Sequence, residues 1–201
     1  MSDFTDLLEC EIPKLRRYAR ALTRDPVRAD DLVQNCLVRA ITKHHLWQPG
    51  TNLRAWLFTI LHHQNVNDVR RSLREGDGIP VEHVALTAVC NPTAVLQIRD
   101  LDRAIAALPL GQRQVILLIG LEGMRYEDVG RILKVPVGTV RSRLSRGRET
   151  LRRLMDVGEQ ADVKPGIPSC KVALSKYRRA LISRDGVPRS RRRTARRRLS
   201  R

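Results

Sequence analysis

Six polar side chains between residues 139 and 146 have the chemistry to read a DNA duplex. An arginine can give two hydrogen bonds to guanine, and a serine or threonine hydroxyl can bond a base or a phosphate. The apolar Val140 and Leu144, four residues apart, would point inward from the same helix and leave the polar residues outward. The spacing therefore predicts a helix that fits the major groove. Its outward residues are Thr139, Arg141, Ser142, Arg143, Ser145 and Arg146.

The residues before this helix have the pattern of a helix-turn-helix that spans 126–144. Gly130 stands where two helices must cross closely, and residues 134–136 supply the turn, with Val135 as its apolar plug and Pro136 starting the second helix. Residues 125–153 hold nine Lys/Arg against three Asp/Glu, which also suits DNA. The alternative is a plain helical hairpin with a solvated basic face.

A second group of polar residues interrupts the apolar stripe of a long helix predicted over 52–74. Flat hydrogen-bonding groups followed by arginines could grip single-stranded bases, while the arginines hold phosphates. The alternative is that Trp56 and Phe58 are core residues and the polar residues only face solvent. Tryptophan side chains are more often buried than used to stack on bases, so the sequence favours this alternative at least equally. The candidates for contact with a single strand are Trp56, His62, His63, Asn65, Arg70 and Arg71.

Composition indicates that helices position both groups. Apolar residues make up 42% of the 201 residues but aromatic residues only 3%. The core must therefore be aliphatic, which suits packed helices better than a β-sandwich or barrel. The longest apolar stretch, 115–120, is far shorter than the roughly 20 residues that span a bilayer, and the acidic first residues do not resemble a secretion signal. We expect an all-α, cytoplasmic protein without membrane insertion.

The chain divides by composition into four stretches. They are a helical domain over 1–75, a flexible linker over 76–92 rich in Gly and Pro, a helical domain over 93–156 and a basic tail over 157–201. In the first domain, Pro13 should kink or split the first helix. Asp25 and Pro26 should start the second helix, and Asn52 should cap the third.

The net charge of +17 is concentrated in the tail. Residues 161–201 hold 14 Lys/Arg and 2 Asp/Glu, whereas residues 1–160 hold 24 and 19. Like charges at this density repel one another and bury little surface, so we expect a disordered tail with a short helix around residues 171–182. The overall charge is therefore no argument that the body of the chain binds nucleic acid.

The cysteines and histidines are not spaced for disulfide bonds, metal binding or catalysis. The cysteines, at positions 10, 36, 90 and 170, form no CxxC pair, which argues against a disulfide framework and a structural zinc site. His62 and His63 diverge by about 100° on a helix and have no ligand partner at suitable spacing. The sequence shows no Gly-rich phosphate loop and no nucleophile–base arrangement. We expect no enzymatic activity, no cofactor and no metal.

Three segments resemble the extracytoplasmic-function sigma factors, small members of the bacterial sigma-70 superfamily. The helix that docks on the polymerase β′ clamp in this family is similar to residues 28–40, RADDLVQNCLVRA. The segment that opens and reads the −10 element is similar to residues 45–61, HLWQPGTNLRAWLFTIL. The domain that reads the −35 element is similar to residues 107–151. The likeness covers about residues 4–155.

The resemblance implies a factor that binds core RNA polymerase, places it on promoter DNA and stabilises strand opening. It implies that the 139–146 group meets the −35 duplex and that the group on the long helix faces the melted −10 strand. The sequence of residues 45–61 is also similar to that of the general-stress branch of these sigma factors in alphaproteobacteria, whose partner is a small anti-sigma protein. The implied polymerase contacts are Asp30, Asp31, Gln34, Asn35 and Arg39.

Two positions depart from the family pattern. The family usually has glutamate where Asn35 stands and asparagine where His63 stands, seven residues after Trp56. The second departure bears on which −10 base is preferred.

Two other classes of protein are alternatives to a sigma factor: a stand-alone helix-turn-helix regulator that binds duplex DNA without polymerase, and an enzyme acting on nucleic acid. The first would use 1–75 as a sensing or dimerising domain, but that stretch lacks receiver-like alternation of strands and helices.

Overall fold

The structure, a computed structural model, describes residues 2–75 and 92–159 together with residues 177, 178 and 181. Within these ranges it contains helices and turns and no strand, which confirms the all-α prediction. Residues 76–91 of the predicted linker over 76–92, and most of the predicted tail, lie outside the described residues.

Three long helices build the first module. They are α1 (Ser2–Thr23), α2 (Pro26–Thr42) and α3 (Leu53–Glu75), with a short 3-10 helix (His44–Leu46) between α2 and α3. The helix α1 packs on α2 and α3, and α2 packs on α3. Pro13 lies inside α1 and does not split it, contrary to one of the two expected outcomes. The buried Leu8 and Leu15 on either side of Pro13 anchor both halves of α1 in the core, which offsets the lost backbone hydrogen bond.

The predicted starts of α2 and α3 are confirmed. The Asp25 carboxylate accepts hydrogen bonds from the backbone N–H groups of Val27 and Arg28, at 2.8 and 3.2 Å, and Pro26 begins the helix. The side-chain oxygen of Asn52 accepts from the N–H of Ala55 at 3.1 Å. Each cap satisfies amide groups that have no partner inside the helix.

Four helices and a π-helical turn build the second module. They are α4 (Pro92–Ala107), α5 (Leu110–Ile116), the π-helical turn (Leu117–Leu121), α6 (Tyr126–Leu133) and α7 (Val137–Glu159). The helices α4, α5 and α6 all pack on α7. The predicted buried helix over 112–121 is present, but its second half is the π-helical turn.

The helix-turn-helix is formed by α6 and α7 as the sequence predicts. Lys134 ends α6 in the left-handed conformation, with φ of 53°, and α7 begins at Val137, one residue after Pro136. A Cβ atom added at Gly130 would lie 3.0 Å from the backbone oxygen of Val135. A side chain at this position would therefore crowd the turn where it passes over α6.

The two modules pack against each other. The helix α3 contacts α6, and α1 contacts the π-helical turn. The buried apolar residues of both modules form one continuous cluster. The sequence predicts two helical modules, and the structure adds that they close on each other.

Candidate nucleic-acid interface and the contact between the modules

The outward face of α7 carries the predicted duplex-reading residues. Arg141, Ser142, Ser145 and Arg146 are exposed, and Thr139 is half-buried. Val140 and Leu144 are buried against the rest of the module, so the two sides of the helix differ as the spacing predicts. The exposed arginines and hydroxyls thus lie on one accessible helix face.

Arg143 does not share that face. It is half-buried, and its guanidinium carbon lies 3.3 Å from the place where a Cβ atom would stand on Gly111. Its side chain therefore runs along the start of α5, at the flank of the reading face. The spacing carries a sign of this, because position 143 is three residues after Val140 and lies only about 60° around the helix from that buried side chain.

Tyr126 and Arg141 join α6 to α7 at the edge of the reading face. The guanidinium carbon of Arg141 lies 5.9 Å from the centre of the Tyr126 ring, within the range of a cation–π contact. A notch of about 250 Å³ opens beside them and is lined also by Ser145, Arg148 and Arg152. Its cationic lining suits a phosphate group of the DNA backbone.

The predicted single-strand group on α3 is divided between open and covered positions. His63, Arg70 and Arg71 are exposed, whereas Trp56 and His62 are half-buried. The side chain of Asn65 is buried, with 7% of its surface exposed. Phe58 is fully buried, and its ring packs edge-on against the ring of Tyr18, with the ring centres 5.2 Å apart. Phe58 is therefore a core residue, as the alternative interpretation predicts.

The second module covers His62. The Nδ1 atom of His62 lies 3.4 Å from the side-chain nitrogen of Gln114 on α5. Burial, together with the nearby His63 and Lys134, lowers the pKa of His62 to about 4. His62 is therefore neutral at neutral pH and not available to a nucleic-acid strand while the modules are closed.

The predicted polymerase-docking residues lie on the outer side of α2. Asp31, Gln34, Asn35 and Arg39 are exposed. Asp30 is half-buried, and one of its oxygens lies 3.6 Å from Arg20 and 3.9 Å from Arg16.

Two large apolar side chains share this side of α2. Val38 is 64% exposed and Ile41 is 55% exposed. Both side chains would lose their contact with water if another protein docked on this side of α2.

Sequence reasoning missed the ionic contact that joins the modules. Glu122 follows the π-helical turn, and its fully buried carboxylate accepts two hydrogen bonds from Arg17 of α1, at 2.8 and 2.6 Å. Arg54 of α3 donates to the same carboxylate at 2.8 Å and to the Glu122 backbone oxygen at 2.6 Å. A carboxylate of the second module is therefore held by guanidinium groups from two helices of the first.

Two further polar contacts cross between the modules. Asn52, at the start of α3, donates to Asp128 of α6 at 3.3 Å. Arg24, between α1 and α2, donates to Asp102 of α4 at 3.4 Å. A cavity of about 290 Å³ remains between the modules, lined by residues that include Leu22, Asn65 and Leu110.

The described residues were also compared with what a metal ion or a membrane-spanning helix requires. Among the residues that the structure describes, no three His, Cys, Asp or Glu side chains are grouped so as to hold a metal ion. None of the described helices is both long enough and apolar enough to cross a membrane.

Both modules match known protein families. The family model described as "Sigma2 domain of PhyR" matches residues 8–62, and the one described as "Sigma-70, region 4" matches residues 98–151. The ECF RNA polymerase sigma factor EcfG of Rhodopseudomonas palustris (strain TIE-1) is 38% identical over 155 residues, which cover 77% of this chain and 86% of that protein.

Two solved structures share the fold. The sigma factor RpoE from Bartonella quintana, solved in complex with the anti-sigma factor NepR, is 35% identical with a TM-score of 0.68. The match covers 78% of this chain and 99% of that one. CnrH, solved in complex with the cytosolic domain of CnrY, is 26% identical with a TM-score of 0.57, over 77% of this chain and 88% of that one.

Proposed function

The chain belongs to the extracytoplasmic-function (ECF) RNA polymerase sigma factors and directs transcription initiation, and we propose how its two modules divide that work. Residues 1–75 dock on core RNA polymerase and read and melt the −10 element. Residues 76–92 link the modules, and residues 93–156 read the −35 element. The observation that carries the proposal is the 38% sequence identity to EcfG, over a match that covers 77% of this chain.

The reading of the −35 duplex falls to the exposed face of α7. Arg141 and Arg146 supply paired donors for base edges, and Ser142 and Ser145 supply hydroxyls. Arg148 and Arg152, beside the notch at Tyr126, are placed to hold phosphates that set the register. Each good base contact contributes about 1–3 kcal/mol of discrimination.

The docking on polymerase falls to the outer side of α2. Val38 and Ile41 supply apolar surface that becomes buried on binding. The surrounding Asp31, Gln34 and Arg39 supply polar contacts that set orientation. Asn35 lies on the same side, and it contributes no charge there.

The reading of the −10 strand requires the modules to separate. Asn65 is buried and His62 lies under Gln114, so neither can reach a base in the closed arrangement. Taking a base out of the stack costs a few kcal/mol, which contacts from the opened face of α3 must offset. Polymerase binding therefore has to supply the free energy that opens the closed form.

The solved structures of two similar proteins support a proposal on regulation. RpoE was solved in complex with the anti-sigma factor NepR, and CnrH was solved in complex with the cytosolic domain of CnrY. We infer that this chain is likewise held by a small anti-sigma protein, that it acts in the cytoplasm, and that it serves a general stress response as a relative of EcfG. It forms no covalent bond itself, since catalysis belongs to the core enzyme.

A promoter-opening assay with and without core polymerase tests the proposal. A fluorescent base analogue placed in the −10 element reports unstacking. We expect a signal only when both the chain and core polymerase are present, and we expect the control Arg103→Ala, an exposed residue of α4, to behave as the parent chain does. Sequence-specific binding and opening without polymerase would overturn the proposal in favour of a stand-alone regulator.

A further inference from the structure

Two apolar side chains near the C-terminus lie inside the folded protein. Tyr177 is 1% exposed and Leu181 is 4% exposed, and both belong to the continuous core cluster. The backbone is helical at Tyr177, Arg178 and Leu181, and the side chain of Arg178 is exposed. These residues fall within the short helix predicted around residues 171–182, and the burial of Tyr177 and Leu181 shows that both side chains pack on the folded body of the chain.

The docked tyrosine is tied to the contact between the modules. Its hydroxyl donates to one oxygen of the Asp102 carboxylate at 2.7 Å. The other oxygen of that carboxylate accepts from Arg24 at 3.4 Å. Asp102 belongs to α4 of the second module and Arg24 to the first, so three parts of the chain meet on one carboxylate.

The electrostatics of this junction favour a bonded arrangement. The side chain of Arg24 is 9% exposed and that of Asp102 is 20% exposed, so their attraction is screened less than that of a surface pair. The Tyr177 hydroxyl fixes the orientation of the Asp102 carboxylate. Docking of Tyr177 therefore keeps Asp102 placed for its contact with Arg24.

We propose that the C-terminal segment carrying Tyr177 and Leu181 is an intramolecular clamp that holds the two modules closed. By favouring the closed form it limits access to the covered face of α3, and it raises the polymerase concentration needed for opening. The family matches end at residue 151, so this clamp lies outside the matched regions. The proposal goes beyond the division of labour between the modules and gives the C-terminal segment a regulatory role.

The clamp differs from a simple polycation in what holds it. The contacts are made by an apolar side chain and a phenol, while the neighbouring Arg178 faces solvent. Attraction of 14 Lys/Arg to DNA would fade with salt, whereas burial of Tyr177 and Leu181 would not. The effect of the clamp should therefore survive at high ionic strength.

Distances between spin labels on the two modules test the clamp in the full chain without polymerase. The exposed Cys10 of α1 provides one label, and Leu154→Cys, on an exposed position of α7, provides the other. The remaining cysteines are replaced by alanine. The test variant combines Tyr177→Ser and Leu181→Ser, which keeps every charge, and the matched control is Arg178→Ser, which removes a charge and keeps the docked face.

We expect the double variant to lengthen and broaden the distance distribution, with the ratio of open to closed chains raised roughly tenfold or more. Tyr177→Phe, which loses only the hydroxyl, should give a smaller change in the same direction. Arg178→Ser should match the parent chain at low and at high salt. An unchanged distribution in the double variant would overturn the clamp.

Titration with core polymerase then tests the regulatory role. The double variant should reach half-saturation at a lower core concentration than the parent chain, because less free energy is spent on opening. Circular dichroism before the titration establishes that both modules of the variant remain helical. Opened modules with an unchanged core affinity would contradict the regulatory role, and this result is distinct from a failure of the chain to bind polymerase at all.

Discussion

Arg17 and Glu122 form a bidentate ion pair across the contact between the modules. The pair joins Arg17 Nε to Glu122 Oε1 at 2.8 Å and Arg17 Nη2 to Glu122 Oε2 at 2.6 Å. Neither side chain is more than 4% exposed. Removal of either partner would leave the other charge buried and unpaired, so the closed form is stable only when both residues are present.

Replacing Glu122 by glutamine should open the modules. The change leaves Arg17 without a counter-charge, and breaking such a buried pair costs about 3–5 kcal/mol. Separation of the modules lets water solvate Arg17, so the chain should open before it unfolds. The label pair at Cys10 and position 154 should therefore report longer distances for the variant.

The matched control for this change is Glu149→Gln. Glu149 forms ion pairs with Arg152 and Arg153 on the exposed surface of α7. Exposed pairs contribute little to stability, so the label distances should stay as they are in the parent chain. If Glu122→Gln behaved like this control, the ion pair would not hold the modules together.

Placing a charge on the outer side of α2 should weaken polymerase binding. Val38 is 64% exposed, so Val38→Asp should leave the melting temperature unchanged while it desolvates a carboxylate in the complex. A loss of about 2 kcal/mol, near 30-fold in Kd, is expected in a fluorescence titration with core enzyme. Leu154→Asp, at an apolar position of α7 that is 41% exposed, is the control and should bind as the parent chain does.

Truncation of Arg146 should reduce transcription only where the upstream element is intact. Arg146 is exposed on the reading face of α7, and loss of a base contact costs about 1–3 kcal/mol. Transcript yield should fall by about 5- to 150-fold for Arg146→Ala on the native promoter, with core binding unaffected. An equal loss on a promoter with a scrambled −35 element would mean that Arg146 contacts phosphates and not bases.

Acidification should favour the open form through His62. Burial lowers the pKa of His62 from its ordinary value of 6.5 to about 4 while the modules are closed. The open form, in which His62 meets water, binds a proton more readily, so closure is complete above pH 6.5 and weakens as the pH falls toward 4. Label distances measured across this window should lengthen as the pH falls.

The groups around His62 make the sign of this effect definite. Gln114 of α5 is neutral, and His63 and Lys134 add positive charge that opposes protonation. His62→Gln should keep the contact with Gln114 and remove most of the pH dependence. If this variant opened with acid as strongly as the parent chain, another group would be responsible.

Local chemistry made much of the fold predictable. The caps at Asp25 and Asn52, the left-handed Lys134 and the close crossing at Gly130 all depend on residues within a few positions of one another. The same holds for the two sides of α7, because Val140 and Leu144 fix which side is buried. Fold class and the exposed reading face therefore follow from spacing.

Contacts between distant residues could not be predicted in the same way. Arg17 and Glu122 are 105 positions apart, and the only local sign is that each stands among residues of a buried apolar pattern. Gly147 gave no local sign either, although a Cβ atom there would lie 2.6 Å from Ile116 Cδ1 of α5. Asn65 lines the cavity between the modules, and Tyr177 donates to Asp102 of the second module, so both make contacts that local spacing does not specify.

Transcription from a randomised promoter library, with purified core enzyme and this chain, tests the central claim most directly. We predict transcripts above the level of core enzyme alone, from templates enriched in two separate sequence elements. Arg146→Ala should relax selection at the upstream element alone, and Asn65→Ala, on α3, should do so at the downstream element alone. Transcripts no more abundant than with core enzyme alone, or enrichment of a single element that both variants disturb equally, would contradict the account.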